Sequence, residues 1–283
     1  MMTRSDRRTP PLLAACLLAG LLITCAAVVP LVVDARPARE IPVETVEESV
    51  ATPGAEGWSA VPNRTIALSS APSGVPNADD TTVREVEIAA ARTDDRLFVR
   101  LRWADPTANR SAASPRAFPD MAAIELPVSA TTQPAIAMGS PDSMVNVWQW
   151  SGTGETQELL AGGAGTTTAF AEPAVTTNAT RTTVGETEGW SVVFSREVSA
   201  PSENRTNLNA DTDVNVAFAI WNGGNDERAG QKAVSEWHYL PFASDDGGGL
   251  FQILLWTVAG IAIALVIAVT VLSVRRAREE DQS

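Results

Sequence analysis

Cysteine is missing from everything beyond residue 25. The chain has two, Cys16 and Cys25, both inside its first apolar run. The rest therefore holds no disulfide, no thiolate metal site, no iron–sulfur cluster and no haem attached through a C-x-x-C-H pair. Histidine occurs once, as His238, which excludes zinc sites built from two or three imidazoles. Any cofactor must use other ligands. Lysine also occurs once, as Lys232 in GQKAVSEWHYL, while every other Lys/Arg position is arginine. Arginine does not give up its proton and lysine can, so position 232 is a candidate neutral amine. Basic clusters are absent outside the two ends, and 34 acidic against 21 basic residues give a net charge of −13. That balance argues against nucleic acid as a partner. Scarce lysine beside abundant Asp, Glu, Ala, Thr and Val suits very high salt, where surface carboxylates hold water and counter-ions. A nucleophile–base pair is also lacking. The glycines Gly162, Gly163 and Gly165 in LLAGGAGTTTAF have neither the lysine nor the following helix of a phosphate loop. The chain is thus a poor candidate for an enzyme by itself.

Two long apolar runs are present. At the N-terminus Arg4, Arg7 and Arg8 precede an uncharged stretch from Leu12 to Val33, which reads as a signal peptide or signal anchor over residues 1–38. Near the other end LFQILLWTVAGIAIALVIAVTVLSV, residues 250–274, is uncharged and long enough to span a bilayer. Arg275, Arg276 and Arg278 follow it, so the tail 275–283 is expected in the cytoplasm. Residues 39–244 then face outward, with 245–249 as a flexible linker. Four glycosylation triplets in this part, at Asn63, Asn109, Asn178 and Asn204, are mild support for an exterior domain.

The exterior part reads as β. In RLFVRLRW, Leu97, Val99, Leu101 and Trp103 alternate with Arg100 and Arg102. Val83–Ile88, Met144–Trp150, Gly189–Arg196 and Val214–Trp221 are further strands, separated by turns rich in Pro, Gly, Asn and Thr. No sustained helical period occurs there. Many short strands over about 200 residues predict an antiparallel β-sandwich. Apart from Met1 and Met2, methionine occurs at 121, 138 and 144 only. Met138 stands beside a glycine in a proline-flanked loop. A thioether and a neutral amine are both possible iron ligands, and together they would make a six-coordinate haem that moves electrons without binding substrate at the metal.

The order of motifs resembles a known family. DRLFVRLRWADPT, FPDMAAIELPV, PAIAMGS with VNVWQW, LLAGGAGTTT, WSVVFSREV, and VNVAFAIWNGG with ERAGQKAVSEWHYLPF are similar to the haem b-binding γ subunit of ethylbenzene dehydrogenase and its relatives among dimethyl sulfoxide reductase-type respiratory molybdenum enzymes. The resemblance runs from Trp58 to Phe242. It implies a β-sandwich holding one non-covalent haem b between Met138 and Lys232, with His238 as the alternative to Lys232. Trp148, Trp150, Trp221 and Trp237 are candidates for the pocket wall or for plain sandwich core. It further implies an electron-transfer subunit working with iron–sulfur and molybdenum catalytic subunits, nitrate reductase-like in a halophile, and with a membrane redox carrier or cytochrome b. The C-terminal anchor departs from the best-known members, which are soluble. A haem-free sandwich that binds glycan or serves cell adhesion is the rival expectation. A haem sensor is a third, disfavoured by so short a tail.

Overall fold

The computed structural model describes residues 39–129, 134–199, 203–208 and 212–242, with helical residues at 256–257, 259–260, 263–264, 266–272 and 275. The expected signal segment 1–38 and the linker 245–249 lie outside the described residues, as do 276–283 and part of 250–274. Among the described residues no helix is long and apolar enough to cross a membrane. Residues Arg39–Ala243 form one compact unit, and the two ends of the chain another.

The Arg39–Ala243 unit is two β-sheets packed face to face, as the alternating strands predict. One sheet has the order β1 (Val43–Thr45), β4 (Glu85–Arg92), β5 (Arg96–Ala104), β11 (Thr187–Glu197), β10 (Thr176–Val184), with β2 (Arg64–Ala67) also on β4. Its pairs are antiparallel except β1 with β4. The second sheet runs β3 (Ser69–Ser70), β13 (Ala233–Val234), β12 (Val214–Trp221), β6 (Met121–Pro127), β7 (Val145–Ser151), β8 (Thr156–Ala161), β9 (Thr168–Ala169), with β14 (His238–Leu240) also on β12. Every pair there is antiparallel.

Period-two patterning decides what lies between the sheets. From β5 come Leu97, Val99, Leu101 and Trp103; from β11 Trp190, Val192 and Phe194; from β6 Ala122, Ile124 and Leu126; from β7 Trp148 and Trp150. Trp150 meets Trp103 and Trp190 edge-on, with ring centroids 6.1 and 4.9 Å apart, so an aromatic contact joins the two sheets. A buried ionic group does the same near the other end of the strands. Arg196 of β11 stacks on Trp148 at 5.0 Å and donates to Asn146 Oδ1 at 3.2 Å and to the Thr206 carbonyl. Glu158 of β8 sits 3.9 Å from Arg196 and accepts from Arg205 Nε at 2.9 Å and from the Ala174 amide at 2.7 Å. Burial pulls the Arg196 guanidinium down to about 10.

The outer faces of the sheets are also partly covered. Arg100, on the outer side of β5, is 8% exposed because it lies over Trp58 at 4.5 Å and donates to Asn63 Oδ1 at 3.1 Å. On the second sheet, Ala123, Val145, Val147, Ala217 and Trp221 form an apolar layer of their own with Trp237, and Met138 packs against it. That layer floors the cavity described next.

Candidate functional site

A cavity of about 420 Å³ opens on the outer face of the second sheet, away from the core between the sheets. Its floor is made of alternate residues of four strands: Met121, Ala123 and Glu125 of β6, Val147 and Gln149 of β7, Leu159 of β8, and Ala217, Ala219 and Trp221 of β12. Loops carrying Ile136, Met138, Ala164, Gly165 and Thr167 and the stretch from Ala229 to Lys232 complete the wall. The volume and the mainly apolar lining are those of a pocket for an organic cofactor or ligand.

The two sequence-predicted ligands meet in this cavity. Lys232 Nζ stands 3.7 Å from Met138 Sδ, although 94 residues separate them in sequence. Met138 reaches this position from a tight turn. Its φ is +71°, and Gly139 follows at +72°, its amide donating to the Ala135 carbonyl at 2.9 Å. A non-glycine residue at positive φ is uncommon, and such conformations gather at functional sites. The turn is clamped from both sides. Gly163 N–H donates to the Met138 carbonyl at 2.8 Å, and Trp237 Nε1 donates to the Pro134 carbonyl at 3.0 Å.

Lys232 is held at the entry to β13. Gln231, 5% exposed, donates to the Asp80 carbonyl at 2.9 Å, and the Ala71 amide donates to the Lys232 carbonyl at 2.9 Å. Ala233 then points into the core between the sheets, which turns Lys232 and Val234 outward into the cavity. Lys232 Nζ also lies 4.9 Å from the centroid of the Trp221 ring. A thioether is a weak acceptor, and no carboxylate lies within ion-pair distance of this amine among the described residues. Burial accordingly pushes the Lys232 ammonium below its ordinary range, opposed by the charge of Glu125.

Glu125 is the site residue that sequence reasoning missed. It faces Ala217 on one side and Val147 on the other, in register with both neighbouring strands. Its Oε1 is buried and has no hydrogen-bond partner. Burial raises its carboxyl to about 8, opposed by the charge of Lys232. The available signal was a lone carboxylate at an otherwise apolar position of MAAIELP.

The other sequence candidates separate by face. Trp148 and Trp150 are 0% and 3% exposed and belong to the core between the sheets. Trp221 lines the cavity and Trp237 pins the loop that carries Met138. His238 pairs with Val216, an inward residue of β12, so it points to the opposite face from Lys232. The two do not share one strand. Residues 235–237, anchored by Ser235 Oγ on the Phe218 amide at 2.9 Å, break the alternation between β13 and β14. His238 Nδ1 is instead 3.0 Å from the Glu236 carbonyl.

Met138 and Lys232 thus bring a thioether and an amine together in an apolar cavity, two groups that could each supply a lone pair to a metal ion once the amine has lost its proton.

Comparison with known proteins gives the following. A family model described as ethylbenzene dehydrogenase matches residues 55–189 and 185–233. A respiratory nitrate reductase heme subunit, ORF7, of Haloferax mediterranei is 46% identical over 98% of this chain and 99% of its own length. Chlorate reductase subunit gamma of Ideonella dechloratans is 37% identical over 68% of this chain and 80% of its own. Dimethylsulfide dehydrogenase subunit gamma of Rhodovulum sulfidophilum is 32% identical over 66% and 74%. Among solved structures, a family 9 carbohydrate binding module of Caldicellulosiruptor kristjanssonii aligns with a TM-score of 0.44 at 12% identity, over 73% of this chain and 97% of that one.

Proposed function

The chain belongs to the ethylbenzene dehydrogenase family, and on that premise we propose that it is the membrane-anchored haem subunit of a nitrate reductase-like molybdenum enzyme complex. It is an electron-transfer subunit and leaves substrate chemistry to the catalytic subunits of the complex. The observation that carries the reading is the meeting of Met138 and Lys232, 3.7 Å apart, in an apolar cavity.

The haem is of b type, held without covalent attachment, because no cysteine of the Arg39–Ala243 unit is available to bind its vinyl groups. When bound, it supplies one reversible electron at the iron. Met138 and Lys232 would hold it, each supplying one lone pair to the iron. The apolar residues around them exclude water and favour loss of the Lys232 proton, and the turn fixes the thioether. Residues 39–244 face outward and residues 250–274 anchor them in lipid, with 275–283 in the cytoplasm and 1–38 as signal peptide or anchor. Exposed apolar side chains at Trp256, Ile263, Ile267 and Leu272 support the anchor. The acidic composition and the Haloferax relative support a halophilic setting. The partners are iron–sulfur and molybdenum subunits, and a membrane carrier or cytochrome b.

The test is a reduced-minus-oxidised visible spectrum of the full-length protein, purified in high salt with haem supplied. A low-spin b-type spectrum is expected, lost or turned high-spin in both Met138→Ala and Lys232→Ala. His238→Ala is expected to leave it unchanged. A wild-type protein that takes up no haem would overturn the reading.

A further inference from the structure

The cavity contains one ionisable side chain that axial ligation does not use. Among the described residues, Lys232 and Glu125 are the only ionisable ones on its wall. Glu125 Oε1 is buried and accepts no hydrogen bond from any group. Its place on β6 is fixed by pairing on both sides, to β12 through Ala217 and to β7 through Val147, which sets its side chain on the cavity face. The neighbours that face it from those strands, Ala217, Ala219, Val147 and Gln149, carry no charge.

Lys232 is the one cation opposed to Glu125 among the described residues. An amine bound to iron is neutral, however, so ligation removes that cation from the cavity. The positive centre left for Glu125 to face is the iron itself. We propose that Glu125, in its ionised form, is the internal counter-charge of the haem iron and lowers its reduction potential. The proposal rests on the haem reading above. A carboxylate in a low-dielectric pocket favours the more positive state of its neighbour. Glu125 therefore stabilises the ferric form and lowers the potential.

The experiment is a redox titration of the haem-loaded full-length protein at pH 7 and at pH 9, on either side of the value of about 8 to which burial raises this carboxyl in the haem-free protein. Glu125→Gln keeps the shape and removes the charge. At pH 9 it is expected to shift the ferric/ferrous equilibrium toward ferrous by about tenfold, an upward shift of about 59 mV for one electron. Glu125→Asp is expected to keep most of the wild-type value. Should Glu125→Gln fail to load haem, Gln149→Glu reads the same field from the adjacent strand, since Gln149 pairs with Ala123 two residues from Glu125. That variant is expected to lower the potential. An unshifted potential at pH 9 in Glu125→Gln, or in Gln149→Glu where the first does not load, overturns the proposal. Wild-type protein without a haem spectrum would sink the underlying function instead, so the two failures are distinguishable.

Discussion

Lys232 and Glu125 work against the haem-free fold, and this can be measured. Burial lowers the lysine and raises the glutamate, so the folded state disfavours the charged form of each. Replacing the amine by an apolar chain of similar shape removes that cost. Lys232→Met is expected to stabilise the haem-free protein by about 1–2 kcal/mol in denaturant titration while abolishing haem uptake. A purely structural lysine would show the opposite sign. For Glu125 the pH dependence follows from the direction of its shift. The folded carboxyl holds its proton up to about pH 8, while an unfolded glutamate loses it near about 4.3. Between these values the folded state binds more protons, so stability is full at the acid end and falls as pH rises through the window. Glu125→Gln removes this slope. The variant is expected to match the wild-type haem-free protein near pH 4 and to exceed it by about 2–4 kcal/mol above pH 8, measured by unfolding at constant salt.

Among the elements, strands were more readable than the surfaces they present. RLFVRLRW alternates so plainly that β5 and its inward residues followed directly, and WSVVFSRE gave β11 in the same way. VNVWQW gave β7, but not which of its faces bears the cavity. Its two tryptophans were open to either the pocket wall or the core; they fill the core, while the smaller Val147 and Gln149 face the site. Both faces of β7 are covered, so hydrophobicity alone does not distinguish them. The break between β13 and β14 was likewise invisible. It depends on Ser235 bonding across to Phe218, and without it Lys232 and His238 appear to share a face. Met138 and Lys232 could be singled out by rarity and resemblance, whereas Glu125 needed the fold to bring it beside them. The elements that hold the site make their own prediction. Trp237→Phe loses the bond to the Pro134 carbonyl and frees the turn that aims Met138. A loss of about 1 kcal/mol in stability is expected, with faster haem release to an apohaem scavenger and an unchanged spectrum in the molecules that keep haem. At the junction between the sheets, Arg196→Ala leaves Glu158 without its buried neighbour. It is expected to cost about 3–5 kcal/mol in denaturant unfolding, and less when combined with Glu158→Gln.

At the scale of the whole molecule, the glycosylation triplets differ in what a sugar would disturb. Asn63 is exposed beside the edge strand β2, and its Oδ1 accepts from Arg100 while Nδ2 is left available. Asn178 spends its Nδ2 on the Ala51 carbonyl at 3.1 Å. Asn109 is half-buried, with its backbone N–H donating to Asp120 Oδ2 at 2.8 Å. With the sandwich outside the cell, as proposed, peptide mass spectrometry of protein from its native host is expected to find sugar on Asn63 and none on Asn178 or Asn109. The position of the cavity has a further consequence. It is scooped into the outside of a sheet whose inner face is already packed against the other sheet, by Trp148, Trp150, Ile124 and Phe218. The hydrophobic core is thus complete without a prosthetic group. On the haem reading proposed above, cofactor binding and packing of the core draw on different faces of the second sheet, so haem-free protein is expected to unfold in one cooperative step in denaturant.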